Sequence, residues 1–234
     1  MTICVAQNKY ALLVGISNYH SIDKNNAWND IHGANDVQWI SPILKKQGFS
    51  LKCLIDTKAT HANIIQKLSN LSKKVREGAI VYLHFSCHGQ PFQDMDGDED
   101  DGWDESLIPI DAKINYTKGV YEGNNHITDD ILRQFVDVIR SNIGNSGCLY
   151  VVIDACHAGR SSRDLEESFI RGTKRGFSRD GLLYRAKTET KSLYKIDNKN
   201  GLSPVVYLEA CKNTQFNTEI KVDGTYYGPM SYYI

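Results

Sequence analysis

Residues 148–159, CLYVVIDACHAG, decide the fold class of this chain. The first eight residues are mostly apolar, and such a run predicts a strand that is buried on both faces of a sheet. The last four residues are small or polar and follow the predicted strand directly. Similar runs occur at residues 9–16 (KYALLVGI), 79–86 (AIVYLHFS) and 204–210 (PVVYLEA), and a shorter strand is predicted at residues 50–55.

Helical patterns separate these strands. Residues 32–47 carry apolar side chains at helical spacing, and Gly48 is suited to end that helix. Thr60 and Thr128 precede two further segments with apolar periodicity and are suited to cap them. Alternating strands and helices predict an α/β fold in which helices cover both faces of a mostly parallel central sheet.

Composition excludes several classes of protein. Hydrophobic residues make up 41% of the 234 residues, and the formal net charge is -1, so no basic surface for nucleic acid is indicated. No apolar run approaches the roughly 20 residues that span a bilayer, and the first residues lack a signal-peptide layout. We therefore expect a soluble cytoplasmic protein with neither a nucleic-acid nor a membrane partner.

Two reactive side chains follow neighbouring predicted strands. His88 comes after the strand at residues 79–86, and Cys156 comes after the strand at residues 148–155. Active sites of parallel sheets gather beyond the carboxyl ends of the strands. A thiolate nucleophile needs a nearby base to take its proton. The sequence therefore predicts Cys156 as nucleophile and His88 as its base.

The same two turns offer donors for an oxyanion. The backbone N–H groups of Gly89 and Cys156 are candidates, because Gly89 allows a substrate to approach closely. His157 is a rival base, but adjacent side chains of an extended chain point apart. Cys87 is a rival nucleophile that lies beside the predicted base instead of opposite it.

Five segments together resemble caspase and metacaspase cysteine peptidases, and most closely the bacterial metacaspase-like members. Residues 83–90 (LHFSCHGQ) and 154–159 (DACHAG) resemble the metacaspase histidine and cysteine motifs, H-Y-S-G-H-G and D-x-C-H-S-G. Cys87 and Ala158 depart from these motifs, each replacing a small residue. The other three are residues 33–37 (GANDV), the acidic stretch 94–111 and residues 209–215 (EACKNTQ).

The resemblance implies a three-layer α/β/α sandwich in one peptidase domain. Residues 1–159 correspond to the large-subunit part, residues 160–203 to a basic linker and residues 204–234 to the start of the small-subunit part. Residues 228–234 resemble a motif that is normally followed by another helix, so we expect a truncated or processed chain. The linker holds eleven basic residues against six acidic ones. This composition predicts a long surface loop. We expect the protein to cut itself within this loop.

The resemblance also implies the substrate class. Asp36 and Asp154 match the residues that line a pocket for the basic side chain before the cut. We expect protein or peptide substrates that are cut after Arg or Lys. The first arginine of the chain is Arg76, which argues against the arginine-based selection of aspartate by caspases.

An acidic loop suggests calcium as an activator, although the chemistry itself requires no cofactor. Residues 94–105 include eight acidic residues, but Glu99 stands where an EF-hand requires glycine. The resemblance implies a site formed by Asp104, Asp129 and Asp130, with Asp164 at a shifted spacing. The alternative is a solvated acidic loop with two carboxylates at a helix N-terminus.

Two other functions remain open. The first is a caspase-fold interaction or regulatory module without protease activity, which the paired His and Cys motifs disfavour. The second is acyl transfer to an amine, which would use the same thioester as hydrolysis.

Overall fold

The computed structural model describes residues 7–97, 99, 101–156, 169–173, 175–184, 201–211, 215 and 217–234. The helices are α1 Gly33–Lys46, α2 His61–Lys74, α3 Asp129–Ile143 and α4 Pro229–Tyr233. The first five strands are β1 Lys9–Gly15, β2 Ser50–Ile55, β3 Ile80–Ser86, β4 His88–Gln93 and β5 Trp103–Ile108. The other five are β6 Ile127–Thr128, β7 Cys148–Asp154, β8 Val205–Glu209, β9 Ile220–Val222 and β10 Thr225–Tyr227.

The main sheet has five strands in the order β2-β1-β3-β7-β8, and every neighbouring pair is parallel. This confirms the predicted mostly parallel sheet. Strands β1, β3 and β7 are buried along most of their length, as their continuous apolar runs predict. Each of the five predicted strands ends within one residue of its observed boundary.

Helices cover both faces of this sheet, which confirms the three-layer sandwich. One hydrophobic cluster joins Ile64 and Leu68 of α2 and Leu132 and Val136 of α3 to one face. A second cluster packs Val37 of α1 on the opposite face, with Met230 of α4 at its edge. The apolar faces of these helices therefore pack against the sheet, as expected for amphipathic helices.

The predicted helix caps are confirmed. The Thr60 hydroxyl accepts a hydrogen bond from the backbone N–H of Asn63, and that of Thr128 accepts one from Ile131. At the start of α1, a Cβ on Gly15 would lie 2.3 Å from the carbonyl oxygen of Gly33. Glycine at position 15 thus allows α1 to begin close to the end of β1.

The structure differs from the sequence prediction in three places. The acidic stretch follows β4 and continues into β5, and these two strands form a second, antiparallel sheet with β6. Residues 220–234 form a β9–β10 hairpin and α4, none of which the apolar pattern predicted. The surface-loop prediction for residues 160–203 is wrong at Arg171, whose side chain is fully buried.

Much of the predicted linker lies outside the described residues, so the division into large part, linker and small part stays a prediction. Among the described residues, no helix has the length and apolar character needed to cross a membrane. The cytoplasmic location also stays a prediction.

Candidate active site

The register of the main sheet brings His88 and Cys156 to one edge. Ser86 at the end of β3 pairs with Asp154 at the end of β7. His88 and Cys156 each lie two residues beyond this pair, and both are buried. Parallel pairing explains why residues that are far apart in sequence meet at this edge.

The surroundings of His88 define its tautomer. Its ring lies 4.9 Å from the Tyr19 ring and 4.8 Å from the Trp28 ring, measured between centroids. Its Nε2 lies 2.8 Å from the carbonyl oxygen of Asn29, which can only accept a hydrogen bond. Burial lowers the pKa of His88 to about 4. The imidazole is therefore neutral at pH 7, with its proton on Nε2.

The other ring nitrogen of His88 is available as a base. Nδ1 is buried and has no hydrogen-bond partner in the described part of the chain. With Nε2 protonated, Nδ1 carries a lone pair.

The Cys156 thiol lies in a small apolar cluster. Its Sγ donates a hydrogen bond to the carbonyl oxygen of Gln215 at 3.1 Å, and Cys211 packs beside it. The rival Cys87 is buried, and burial raises the pKa of its thiol to about 12. Cys87 is thus protonated at neutral pH. The rival base His157 lies outside the described residues.

A carbonyl group of the protein's own chain occupies the site. The oxygen of Arg171 accepts hydrogen bonds from the backbone N–H of Gly89 at 3.1 Å and of Cys156 at 2.9 Å. These are the two donors that the sequence predicts for an oxyanion. The next residue, Gly172, packs so closely that an added Cβ would lie 1.9 Å from the carbonyl oxygen of Cys156.

The Arg171 side chain fills an acidic pocket at the same edge of the sheet. Its Nη1 lies 2.7 Å from Asp36 Oδ2 and 3.5 Å from Asp154 Oδ1. Its Nε and Nη2 donate to Glu219 Oε1 at 3.0 and 2.8 Å. The Ser86 hydroxyl lies 2.6 Å from Nη1. The guanidinium and all three carboxylates are fully buried.

Burial and charge oppose each other in this pocket. Burial raises the pKa of Asp36 to about 6, although Arg171 acts in the opposite direction. Burial also opposes ionisation of Asp154, but Arg171 and hydrogen bonds from Ser231 and Asn217 bring its pKa below the ordinary value. The carboxylates raise the pKa of Arg171 despite its burial. A positive side chain therefore stabilises the ionised pocket.

The segment around Arg171 lies in an extended conformation beside residues 217–219. The Arg171 N–H donates to the carbonyl oxygen of Asn217, and the Glu219 N–H donates to that of Phe169, both at 3.0 Å. Ile170 forms an antiparallel bridge with Thr218. This is how an extended peptide adds a strand to a partner.

Sequence reasoning missed Glu219 and the particular role of Arg171. Glu219 lies beyond strand β8 in the chain and belongs to none of the five segments that carry the resemblance. Arg171 is one of eleven basic residues in its segment, so its identity as the docked residue had no local signal. Only the fold decides which of these side chains reaches the pocket.

The predicted calcium ligands are partly assembled. Asp104 and Asp129 are buried, and each has one carboxylate oxygen that finds no hydrogen-bond partner among the residues that the structure describes. Burial and the surrounding carboxylates raise the pKa of Asp104 to about 8 and that of Asp129 to about 7. Asp130 is paired with Arg133. No cluster of three or more candidate ligands occurs among the described residues, and Asp164 lies outside them.

Comparison with known proteins gives consistent results. The family model described as metacaspase, peptidase C14 domain, matches residues 9–165. Metacaspase-1 of Eremothecium gossypii is 32% identical over 68% of this chain and 33% of its own length. Metacaspase-6 of Arabidopsis thaliana is 29% identical over 92% of this chain and 55% of its own length. The chain thus spans one third to about half of these two relatives.

A solved structure supports the fold. The crystal structure of a protein from Geobacter sulfurreducens matches 96% of this chain and 79% of its own, with a TM-score of 0.62 at 20% identity.

The family model extends through both the histidine and the cysteine motif and covers more than half of the chain, which establishes the family. The chain belongs to the metacaspase family of cysteine peptidases.

Proposed function

We propose that this protein is a cysteine endopeptidase that cuts protein substrates after Arg or Lys and cuts itself after Arg171. One observation carries the proposal. The carbonyl oxygen of Arg171 receives both predicted oxyanion donors while its side chain fills the acidic pocket. A substrate residue before the cut must satisfy both requirements at once.

The first chemical step uses the tautomer of His88. The Nδ1 of His88 takes the proton of the Cys156 thiol, and the sulfur attacks the substrate carbonyl carbon. The Nε2–H stays on the Asn29 carbonyl and keeps the ring oriented. The developing oxyanion is stabilised by the N–H groups of Gly89 and Cys156, which already point at a carbonyl oxygen.

The second step releases the two products. Protonated His88 gives its proton to the leaving amine, and the peptide C–N bond breaks to leave a thioester on Cys156. His88 then removes a proton from water, which attacks the thioester. Hydrolysis regenerates the thiol and releases a carboxylate that ends in the basic residue.

The pocket explains the substrate class. Asp36, Asp154 and Glu219 surround a guanidinium that is sealed from solvent. An acidic substrate side chain would meet three buried carboxylates without a counterion, which is strongly unfavourable. Partners are therefore proteins or peptides with accessible basic residues.

The self-cleavage site is the Arg171–Gly172 peptide bond. Gly172 fits against the Cys156 carbonyl only because it lacks a side chain. The segment belongs to the same chain, so its effective concentration at the site is high. Until the bond is cut, it also excludes other substrates.

We further propose calcium as an activator at the acidic cluster. The unpartnered buried oxygens of Asp104 and Asp129 fit a hard cation, and bound calcium would neutralise their mutual repulsion. Asp130 would have to leave Arg133 to join them. The ion takes no part in the chemical steps.

A fluorogenic peptide panel tests the function. Peptides with Arg, Lys or Asp before the cut are offered to the full chain and to Cys156→Ala, with mass spectrometry of both proteins. We expect turnover of Arg and Lys peptides and self-cleavage after Arg171, both lost in Cys156→Ala. Faster cleavage after Asp would contradict the pocket assignment.

The panel also separates the two other functions. A folded protein that binds partners without any cleavage would favour an interaction module. Transfer of the acyl group to an added amine instead of water would favour the second alternative, an acyl-transfer enzyme.

A further inference from the structure

The docked segment places two side chains on one face. Phe169 and Arg171 are two residues apart in a strand-like segment that pairs with residues 217–219. Alternate residues of an extended chain share a face. The side chain two residues before Arg171 therefore points toward the same wall of the site as the guanidinium.

That wall contains two aromatic rings. The Phe169 ring lies edge-on to the His32 ring, with centroids 4.5 Å apart and planes at 86°. It lies edge-on to Tyr226 as well, at 4.9 Å and 71°. The rings of His32 and Tyr226 stack on each other at 4.9 Å and 24°. Phe169 thus closes a three-ring cluster in a geometry that aromatic pairs favour.

Hydrogen bonds anchor both receiving residues, His32 through its ring and backbone and Tyr226 through its backbone. Nδ1 of His32 lies 2.5 Å from Glu219 Oε2, and its backbone N–H donates to Oε1 at 2.8 Å. The Tyr226 carbonyl accepts a hydrogen bond from Asn35 at 3.0 Å. His32 therefore contacts both the ring of Phe169 and the carboxylate that binds Arg171, and the rings need little reorganisation to receive a ligand.

We propose that His32 and Tyr226 form a second specificity subsite, which selects an aromatic side chain at the third residue before the cut. This inference rests on the proposed peptidase function, because it takes Phe169 as a substrate residue. The preferred sequence is an aromatic residue, any residue, then Arg. An aliphatic side chain fills part of the space but lacks the ring edge that faces both aromatic partners.

Two peptide series test the proposal on the full chain. Fluorogenic peptides with the sequence X-Ile-Arg carry Phe, Tyr, Leu or Ala at X, and kcat/KM is measured for each. We expect the Phe peptide to exceed the Ala peptide by about tenfold, with Leu between them, because the ring contacts add to apolar burial. Self-cleavage of Phe169→Ala should be slower by a similar factor, and that of Phe169→Tyr close to the unmodified rate.

Variants of the receiving wall assign the preference to its residues. Tyr226→Ala should lower the Phe-to-Ala ratio toward one, and Tyr226→Phe should retain it. Tyr227→Ala is the matched control, since this neighbour in β10 contacts Trp39 and Tyr232 instead. Thermal melting shows whether each variant is folded.

The possible outcomes separate the two proposals. Cleavage of all peptides at equal rates, with unchanged self-cleavage in Phe169→Ala, overturns the subsite and leaves the peptidase function intact. A ratio that survives Tyr226→Ala in a folded protein also overturns it. If the protein shows no peptide turnover and no self-cleavage, the proposed function is refuted, and the subsite with it.

Discussion

Replacing Glu219 by glutamine should separate the recognition of arginine from that of lysine. Glu219 Oε1 accepts hydrogen bonds from Nε and Nη2 of Arg171 at 3.0 and 2.8 Å, and the carboxylate is fully buried. Glutamine keeps the shape and one acceptor oxygen but removes the charge. A bond to a charged acceptor exceeds one to a neutral acceptor by about 1 kcal/mol.

Two such bonds predict a loss of roughly 2 kcal/mol in transition-state binding, or about thirtyfold in kcat/KM for arginine peptides. Lysine has no counterpart of Nε or of the second guanidinium nitrogen. A lysine peptide should therefore lose only about threefold, because it depends on Asp36 and Asp154 instead.

The assay compares Phe-Ile-Arg and Phe-Ile-Lys fluorogenic peptides on the unmodified protein, Glu219→Gln and Glu77→Gln. Glu77 is exposed on the surface, so its variant controls for a general change of charge. The ratio of arginine to lysine turnover should fall about tenfold in Glu219→Gln only. Equal losses for both peptides in a folded Glu219→Gln protein would refute the reasoning, as would no loss at all.

Four further predictions use the same site. Cys156→Ala and His88→Ala should each abolish peptide turnover in a folded protein, and the double variant should be no worse, because the two side chains act as a unit. Gly172→Val should suppress self-cleavage on gels, since a Cβ would lie 1.9 Å from a carbonyl oxygen, while added peptides report on the remaining chemistry. Burial raises the pKa of Asp36 to about 6, so the ionised pocket and the rate of self-cleavage should decline as the pH falls through that value, and a flat profile from pH 5 to 8 would contradict this. Millimolar calcium should raise the peptidase rate and the melting temperature, and Asp104→Asn should remove both effects, whereas identical values in calcium and chelator would eliminate the site.

Local signals were sufficient for the main architecture and for the two reactive groups. Continuous apolar runs identify β1, β3 and β7, because strands buried on both faces are apolar at most positions. His88 and Cys156 were identifiable because each follows one of these runs, and parallel strands present their carboxyl ends at one edge. The helix caps at Thr60 and Thr128 are equally local.

The second sheet and the hairpin near the end were not predictable in this way. Strand β5 begins inside the acidic stretch, and β9 and β10 are three residues each. Such short segments acquire strand structure from their partners, and their own sequences show little periodicity.

The sequence by itself determined the sheet, the covering helices and the edge at which both His88 and Cys156 lie, since these depend on periodicity and chain order. The resemblance already predicts Asp36 and Asp154 in the pocket, but only the tertiary structure decided that Glu219 completes it and that Arg171 fills it. Glu219 and Arg171 are 48 residues apart and become partners only because an extended segment pairs with residues 217–219. A long-range ion pair leaves no local pattern in the sequence, because the packing of the whole domain brings its two partners together.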